Sequence, residues 1–395
     1  MKILVVAARL CWPLNTGAKI RAYHLLRSLA KAHDVTLVSY YGKKEEEGYF
    51  AHFRELGINV VPVYFPQIDR SLNSSTALRA LSRGLPLNIA KYYGSEMRST
   101  LQALDSGEFA IVHCEHLHMA TMIPRGRSKF VLDAHNVESQ IAAQYSGAES
   151  NYFKCAVLKW NYRRLERFEM DTVQKSDLVL AVSGEDRDTF GSFGANKVKV
   201  LENGVDIDFF RPCLKPEKGN SLVFVGSMDW KPNVGGVDFF LDDILPLIRR
   251  SHPDVTLTIV GKDPSPSLIS RVRTRETGVV VTGTVPDVRP FVENSAVCVV
   301  PLKVGGGTRL KVLEGFAMGK AVVSTSLGCE GIECLHGKQI LIADSAADFA
   351  QAVVSLLEQS ELRRHLGKNA RLLAEEKYSW DALGTKLLSY YDELA

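Results

Sequence analysis

The sequence predicts an α/β protein built as two doubly wound, parallel-sheet domains, and three observations carry that expectation. Short apolar runs alternate with helical patterns along the whole chain, the signature of parallel sheets covered on both faces. The alternation restarts near residue 220, after a stretch rich in Asn, Gly, Asp and Pro. The length, 395 residues, exceeds one ordinary core, and at roughly 100–200 residues per domain two are expected.

Each element can be justified in order. In the first half the strand candidates are KILVVAA (2–8), DVTLVSY (34–40), INVVPVY (58–64), FAIVHC (109–114), KFVLDA (129–134) and DLVLAV (177–182). Helical patterns follow them, and residues 18–32, AKIRAYHLLRSLAKA, have the cleanest spacing. Residues 151–171 are a further helix, rich in Lys, Arg and aromatics. Aromatics among bases can mark a membrane or nucleic-acid surface, but the favoured reading packs them inward. The second half offers SLVFVG (221–226), VTLTIVG (255–261), GVVVTG (278–283), AVCVVPL (296–302), KAVVST (320–325) and QILIAD (339–344), then helices near 345–358 and 360–375. The expected division is a first domain over 1–201, a linker over 202–219 and a second domain over 220–376. A terminal helix within 377–395 is expected to pack back toward the first domain.

Composition narrows the function classes. Forty-eight basic residues against 45 acidic ones give a net charge of +3, which argues against nucleic acid held by bulk electrostatics. Seven cysteines without a CxxC pair indicate neither a zinc site nor a disulfide framework, and fit a reducing cytosol. The start, MKILVVAARLCWP, reads as a buried strand, because Arg9 interrupts its short apolar run. No run reaches the ~18 apolar residues of a membrane span. The expectation is a cytoplasmic protein, with peripheral contact at the inner face of a membrane as an open alternative.

The richest stretch is PLKVGGGTRLKVLEGFAMGKAVVST, 301–325. It is not a Walker loop: Gly315 and Gly319 are one residue too close, and Ala321 follows Lys320. Gly319 instead suits a helix C-terminus in left-handed conformation. A dinucleotide G-x-G-x-x-G is also missing. Gly305, Gly306 and Gly307 lie between a strand and a helix whose expected N-cap is Thr308. Such a loop is either a plain tight turn or an approach for a diphosphate to free amides and a helix dipole. Lys311 and Glu314, at i and i+3, are either a surface pair or a phosphate cation followed by a carboxylate for a vicinal diol. Loop, bases and carboxylate together read as a site for a diphosphate and a ribose.

LEGFAMGKAVVSTSLGCEGI (313–332) resembles the nucleotide-binding segment of retaining GT-B glycosyltransferases of glycosyltransferase family 4 (group 1). The resemblance extends through LVLAVSGEDRDTF (178–190), VKVLENGVDIDFFRP (198–212), LVFVGSMDWKPNVGGVDFF (222–240), LTIVGKDP (257–264), VTGTVPDVRPFVENSAVCVVPL (281–302) and YSWDALGTKLLSYY (378–391). It implies two Rossmann-like domains facing each other across a cleft, with the acceptor bound by the first, 1–201, and the nucleotide sugar by the second, 220–376. Carried over by position, the second Glu of the family's E-x7-E pattern falls on Glu314. The first falls on Gly306, as in a branch with a GGGTRLK loop, so the amides of Gly306, Gly307 and Thr308 are expected to hold the donor sugar. The phosphate-binding Lys falls on Lys231, and its Arg partner's position holds Ser227, for which Arg309 or Lys311 is expected to compensate. The backbone around Gly283, Val285 and Val288 matches the base-binding loop. In the first half Gly17 falls near the donor phosphates and His135 on the family's histidine facing the donor sugar. Lys19, Arg21, His116, Asn136 and Glu138 are acceptor-side candidates. His113, Glu115, His116 and His118 cluster without the H-E-x-x-H spacing of a metal site, and no metal or cofactor is expected.

The implied reaction moves a hexose-type sugar from a nucleoside diphosphate sugar, a UDP-sugar by expectation, to an acceptor hydroxyl with retention. The acceptor is a small molecule, a glycan or a lipid-linked chain. His135, Lys231 and Arg309 are the catalytic candidates, acting by charge stabilisation and alignment, with closure about 202–216 excluding water. A sugar-nucleotide epimerase of the same fold and a non-catalytic nucleotide-sugar-binding subunit are the alternatives.

Overall fold

Among the described residues, runs of β-branched residues form thirteen strands in a computed structural model of the chain. The structure describes residues 1–68, 74–104, 107–124, 126–148, 152–212, 219–305 and 309–394. The expected Gly306, Gly307 and Thr308 contacts lie outside these described residues.

The chain divides into one unit of Met1–Glu202 with Leu383–Ala395 and a second of Asn203–Ala382. In the first, β1 (Lys2–Ala7), β2 (Asp34–Tyr41), β3 (Asn59–Tyr64), β4 (Ile111–Glu115), β5 (Lys129–Ala134), β6 (Leu178–Ala181) and β7 (Val198–Val200) form a parallel sheet in the order β3-β2-β1-β4-β5-β6-β7. In the second, β8 (Ser221–Val225), β9 (Thr256–Val260), β10 (Val279–Val281), β11 (Val297–Val300), β12 (Ala321–Ser324) and β13 (Leu341–Ile342) form another, ordered β10-β9-β8-β11-β12-β13. The expected α/β class and doubly wound pattern are therefore present. One strand is additional to the sequence expectation: β7 is three residues, VKV, with a lysine at its centre and only half-buried, too short to register as an apolar run.

Burial explains the strand composition. Ile3, Val6, Val297, Val322 and Val323 are wholly buried between helices on both sheet faces, where an alternating pattern would place polar groups in the core. In both sheets the strand order reverses beside the first strand, between β1 and β4 and between β8 and β11. Chains leaving the carboxyl ends of these pairs diverge to opposite faces, and the crevice left there is where such sheets bind ligands.

Three helices carry local details that position the functional residues. Helix Gly17–Ala32 starts at Thr16, whose hydroxyl accepts from Lys19 N at 3.4 Å, and it buries Tyr23, Leu25, Leu26 and Leu29. Helix Leu310–Ala317 has Arg309 at its N-cap, with no side-chain cap, and the expected cap Thr308 lies outside the described residues. Its far end closes at Gly319 (φ +67°), where Gly319 N donates to Phe316 O and Lys320 N to Gly315 O, both at 2.9 Å. That is a Schellman stop, and Lys320 Nζ is spent on Glu293 O and Ser295 O. The MGK segment is thus structural. Helix Tyr152–Gln174 departs from the inward-packing expectation: Phe168 packs on the core, whereas Trp160 turns outward, 40% exposed.

Candidate active site

In the second unit the carboxyl ends of β8 and β11 bring together residues 226–233, Gly305 and 309–314. Gly305 has φ +112°, a conformation that a side chain would strain, and an added Cβ would also stand 3.1 Å from Pro232. This turn directs the chain into helix Leu310–Ala317, where Val312, Leu313, Phe316 and Ala317 are buried. Lys311 and Glu314 are left half-buried on a second face.

Lys311 Nζ donates to Asn233 Oδ1 at 2.7 Å and lies 4.4 Å from the centre of the Phe224 ring. Asn233 is itself oriented by Nδ2 donating to Ser227 O at 2.8 Å. A Cβ on Gly226 would come within 2.8 Å of both Lys311 Nζ and Asn233 Nδ2, so the glycine makes the room they occupy. Burial, then the Arg309 charge, pushes the Lys311 ammonium down to about 7. Burial raises Glu314 to about 7 against the pull of Lys311. Two half-buried ionisable groups one helical turn apart thus titrate close to pH 7, a perturbation that binding sites commonly show. Arg309 is buried, with Nη2 donating to Gly305 O at 2.6 Å, Nε to Leu327 O at 3.3 Å, and Glu330 at 3.8 Å. It braces the loop as well as adding charge.

The remaining candidates of this unit occupy the same sheet end with fewer constraints. Lys231 opens helix Lys231–Phe239 and is exposed. Ser227 Oγ bonds Asp229 rather than any cation, and Asp229 in turn holds Lys262 at 3.1 Å. Gly283 (φ +72°) follows β10, with Thr282 Oγ1 donating to its carbonyl, while Val285 and Val288 pack partly on the core.

In the first unit the ends of β1, β4 and β5 gather a buried charge network. Arg21, 1% exposed, grips Asp133 with Nε at 3.0 Å from Oδ2 and Nη2 at 2.6 Å from Oδ1, and its Nη1 donates to the carbonyls of Leu201 and Glu202. The guanidinium expected on the acceptor side is thus committed to the interior, and Arg21 acts on its surroundings through Asp133. His135 Nε2 lies 2.6 Å from Glu115 Oε1 and 3.4 Å from Asp133 Oδ2. Burial alone would depress this imidazolium, but the two carboxylates raise it to about 9. Burial likewise acts to raise Glu115 and Asp133, yet His135 brings Glu115 down and Arg21 holds Asp133 well below the usual carboxylate range. On the far side of Glu115, His113 Nε2 stands at 3.3 Å and its Nδ1 meets the buried Tyr391 hydroxyl at 2.6 Å.

His116, with φ +69°, stacks its ring 3.7 Å from that of His135, and burial with the His135 charge drives its pKa well below the ordinary value. A neutral ring lies against a charged one. Glu115, His116 and His135 offer ligand atoms within 4.8 Å of one another, spacing that would admit a cation. A protonated His135 is a donor rather than a ligand, however, and the charges of Arg21, Asp133, His135 and Glu115 already balance.

Other candidates of this unit sit nearby in sequence. Glu138 begins helix Glu138–Ala148, and the amides of Glu138 and Ser139 donate to Glu169 at 2.8 and 3.0 Å, a carboxylate cap supplied by helix Tyr152–Gln174. Gly17 lies exposed and Lys19 half-buried in the first turn of helix Gly17–Ala32, and Asn136 follows β5. Sequence reasoning missed Asp133 and Asn233. The signal for Asp133 was present, since a carboxylate closing the apolar strand KFVLDA requires a buried partner.

Two doubly wound, parallel-sheet units in one chain are the architecture of the GT-B fold. The family comparison agrees: a model described as "Glycosyltransferase Family 4" matches residues 15–209, and one described as "Glycosyl transferases group 1" matches 219–359. The chain belongs to this family of glycosyltransferases. It is 22% identical over 395 residues to an uncharacterized 44.6 kDa protein in the cps region of Klebsiella pneumoniae, covering 95% of this chain and 96% of that one. A Campylobacter jejuni N,N'-diacetylbacillosaminyl-diphospho-undecaprenol alpha-1,3-N-acetylgalactosaminyltransferase is 27% identical over 212 residues, half of this chain and 55% of that one. Among solved structures, Anabaena Alr3699/HepE in complex with UDP superposes with a TM-score of 0.69 over all of both chains at 14% identity.

Proposed function

We propose that the protein transfers a hexose-type sugar from a UDP-sugar to an acceptor hydroxyl, with retention of anomeric configuration and without a resident metal. The observation that carries this is the Lys311–Glu314 pair, half-buried beside Gly305 at the β8/β11 switch point. A diphosphate there meets Lys311, with Lys231 and Arg309 adding charge, while Glu314 accepts the two hydroxyls of the ribose. UDP as the nucleotide is supported by the UDP and UDP-glucose complexes of the Anabaena protein. Glycosidases that retain configuration use a close carboxylate pair with one as nucleophile, and Glu314 is instead spent on the nucleotide. In this reading the sugar–phosphate bond breaks with its electrons going to the diphosphate, which the fixed cations stabilise. The acceptor oxygen attacks from the same face and loses its proton to the departing phosphate oxygen. In the first unit His135, held protonated by Glu115 and Asp133, is a hydrogen-bond donor of the kind a sugar hydroxyl accepts from. A lipid-linked glycan is the favoured acceptor, supported by the diphospho-undecaprenol substrate in the Campylobacter relative's name.

The test is transfer from UDP-sugars in the presence of EDTA, with the product linkage read by NMR. Retained configuration in EDTA supports the proposal, whereas inversion or strict metal dependence contradicts it. An arm without acceptor identifies an epimerase, which would alter the donor sugar there.

A further inference from the structure

We infer that the outer face formed by helix Ser74–Arg83 and helix Tyr152–Gln174 docks on an anionic lipid bilayer. The inference goes beyond the reaction proposed above and stands on a different surface. Among the described residues of these two helices, Leu78 at 68% exposure, Leu81 at 64%, Val157 at 54% and Trp160 at 40% turn apolar surface into solvent. Leu78 and Leu81, one turn apart, lie opposite Thr76 and Ala80, which are buried. The short helix thus has an inner apolar contact and a second, uncovered apolar edge.

Beside that edge the long helix presents Ala156, Trp160, Arg163 and Arg167, spaced to share one face. With Leu81, Lys159 and Arg164 they line an open depression of about 540 Å³. Four cations and no carboxylate line it. Glu166, on the same helix, is turned to the Tyr162 hydroxyl at 2.6 Å. Arg164 lies 4.5 Å over the Trp160 ring, so this indole is flanked by charge while 40% of the residue stays exposed.

The charge is local, because the whole chain carries only +3. Cations alone would fit any phosphate. Leucines and a tryptophan at their rim match a surface that is anionic at its headgroups and apolar beneath, and a soluble anion gives Leu78 and Leu81 nothing to bury in. No helix among the described residues is long and apolar enough to cross a membrane, so contact of this helical face would be peripheral.

The experiment is flotation of the full chain with vesicles of phosphatidylcholine alone and of phosphatidylcholine mixed with phosphatidylglycerol. Binding is expected only to the mixed vesicles, and to weaken as salt is raised. Arg163→Glu with Arg167→Glu should lower the partition coefficient by roughly tenfold or more, since each surface base contributes about fivefold. Leu78→Ser with Leu81→Ser should lower it several-fold without changing the charge. Leu372→Ser, an exposed leucine of the second unit, should change nothing, and circular dichroism with an unaltered melting temperature certifies each variant's fold. Equal flotation with both vesicle types, or none with either, overturns the inference. So does loss only in the arginine variant together with competition by inorganic phosphate, which would mark a soluble-anion site instead.

Discussion

His135 Nε2 stands 2.6 Å from Glu115 Oε1, and this contact is the middle of a buried chain that runs from Arg21 through Asp133, His135, Glu115 and His113 to the Tyr391 hydroxyl. The signs alternate over its first four members. Each ion is desolvated, and each is stabilised by neighbours of opposite charge rather than by water. The parallel register creates the arrangement: Glu115 of β4 pairs with Asp133 of β5, so two carboxylates arrive side by side, and His135 lies two residues past that position. Two negative charges held at one strand end require positive ones, and Arg21 and His135 are those charges.

A pH dependence arises from His135. Its folded pKa, about 9, lies above the ordinary 6.5, so its ion pair contributes stability in full below pH ~6.5 and loses that contribution as pH rises through about 9. The melting temperature should therefore decline between these values. Glu115→Gln removes one of the two carboxylates responsible and should flatten the decline when melting is followed across a pH series. An equally steep decline in the variant would show that the pair is not formed.

Breaking the other end of the chain should be severe. Asp133→Asn leaves the Arg21 guanidinium buried without its counter-ion, a loss of about 3–5 kcal/mol in denaturant unfolding. The double variant Arg21→Met with Asp133→Asn should be less destabilised than the sum of the two single changes, since neither charge is then stranded. Simple additivity would contradict the coupling.

Glu314 should show a conflict between stability and binding. Burial raises its pKa from 4.5 to about 7, so the unliganded protein loses stability as pH rises from 4.5 toward 7 and bears the full cost above it. At pH 8, Glu314→Gln should melt higher than the wild type without ligand, yet gain less from a UDP-sugar. A variant that melts lower and binds equally well would remove Glu314 from the site.

The sheets are legible in the sequence because parallel strands buried on both faces are written as contiguous apolar runs. The run at 129–134, for example, predicts a strand and forms β5 with those bounds. The Lys311–Glu314 pair is legible too, since its spacing is local to one helix. The partners of those residues are not. Asn233 reaches Lys311 across 78 positions and Asp133 reaches Arg21 across 112, distances that only strand order closes. The outward turn of Trp160 is also invisible, because interleaved aromatics and bases fit either face of a helix.

Two glycines, one just past β8 and one just past β9, separate packing from binding. A Cβ on Gly261 would fall 1.8 Å from the carbonyl oxygen of Gly226, which is backbone and cannot give way. Gly261→Ala should cost about 3 kcal/mol in denaturant unfolding. On Gly226 the added Cβ meets the movable ends of Lys311 and Asn233 at 2.8 Å. Gly226→Ala should leave folding nearly intact and weaken UDP affinity about tenfold in calorimetric titration. The reverse ranking of the two variants would contradict this assignment.

The most direct test of the donor site is the thermal shift that UDP-sugars produce in EDTA, compared between the wild type and Glu314→Ala. A ligand at a hundred times its dissociation constant stabilises by about 2.7 kcal/mol, so the wild type should melt several degrees higher with at least one UDP-sugar. Glu314→Ala should lose most of that rise. Unchanged melting of the wild type with every nucleoside diphosphate sugar, or an undiminished shift in Glu314→Ala, would contradict the placement of the nucleotide beside Lys311 and Glu314.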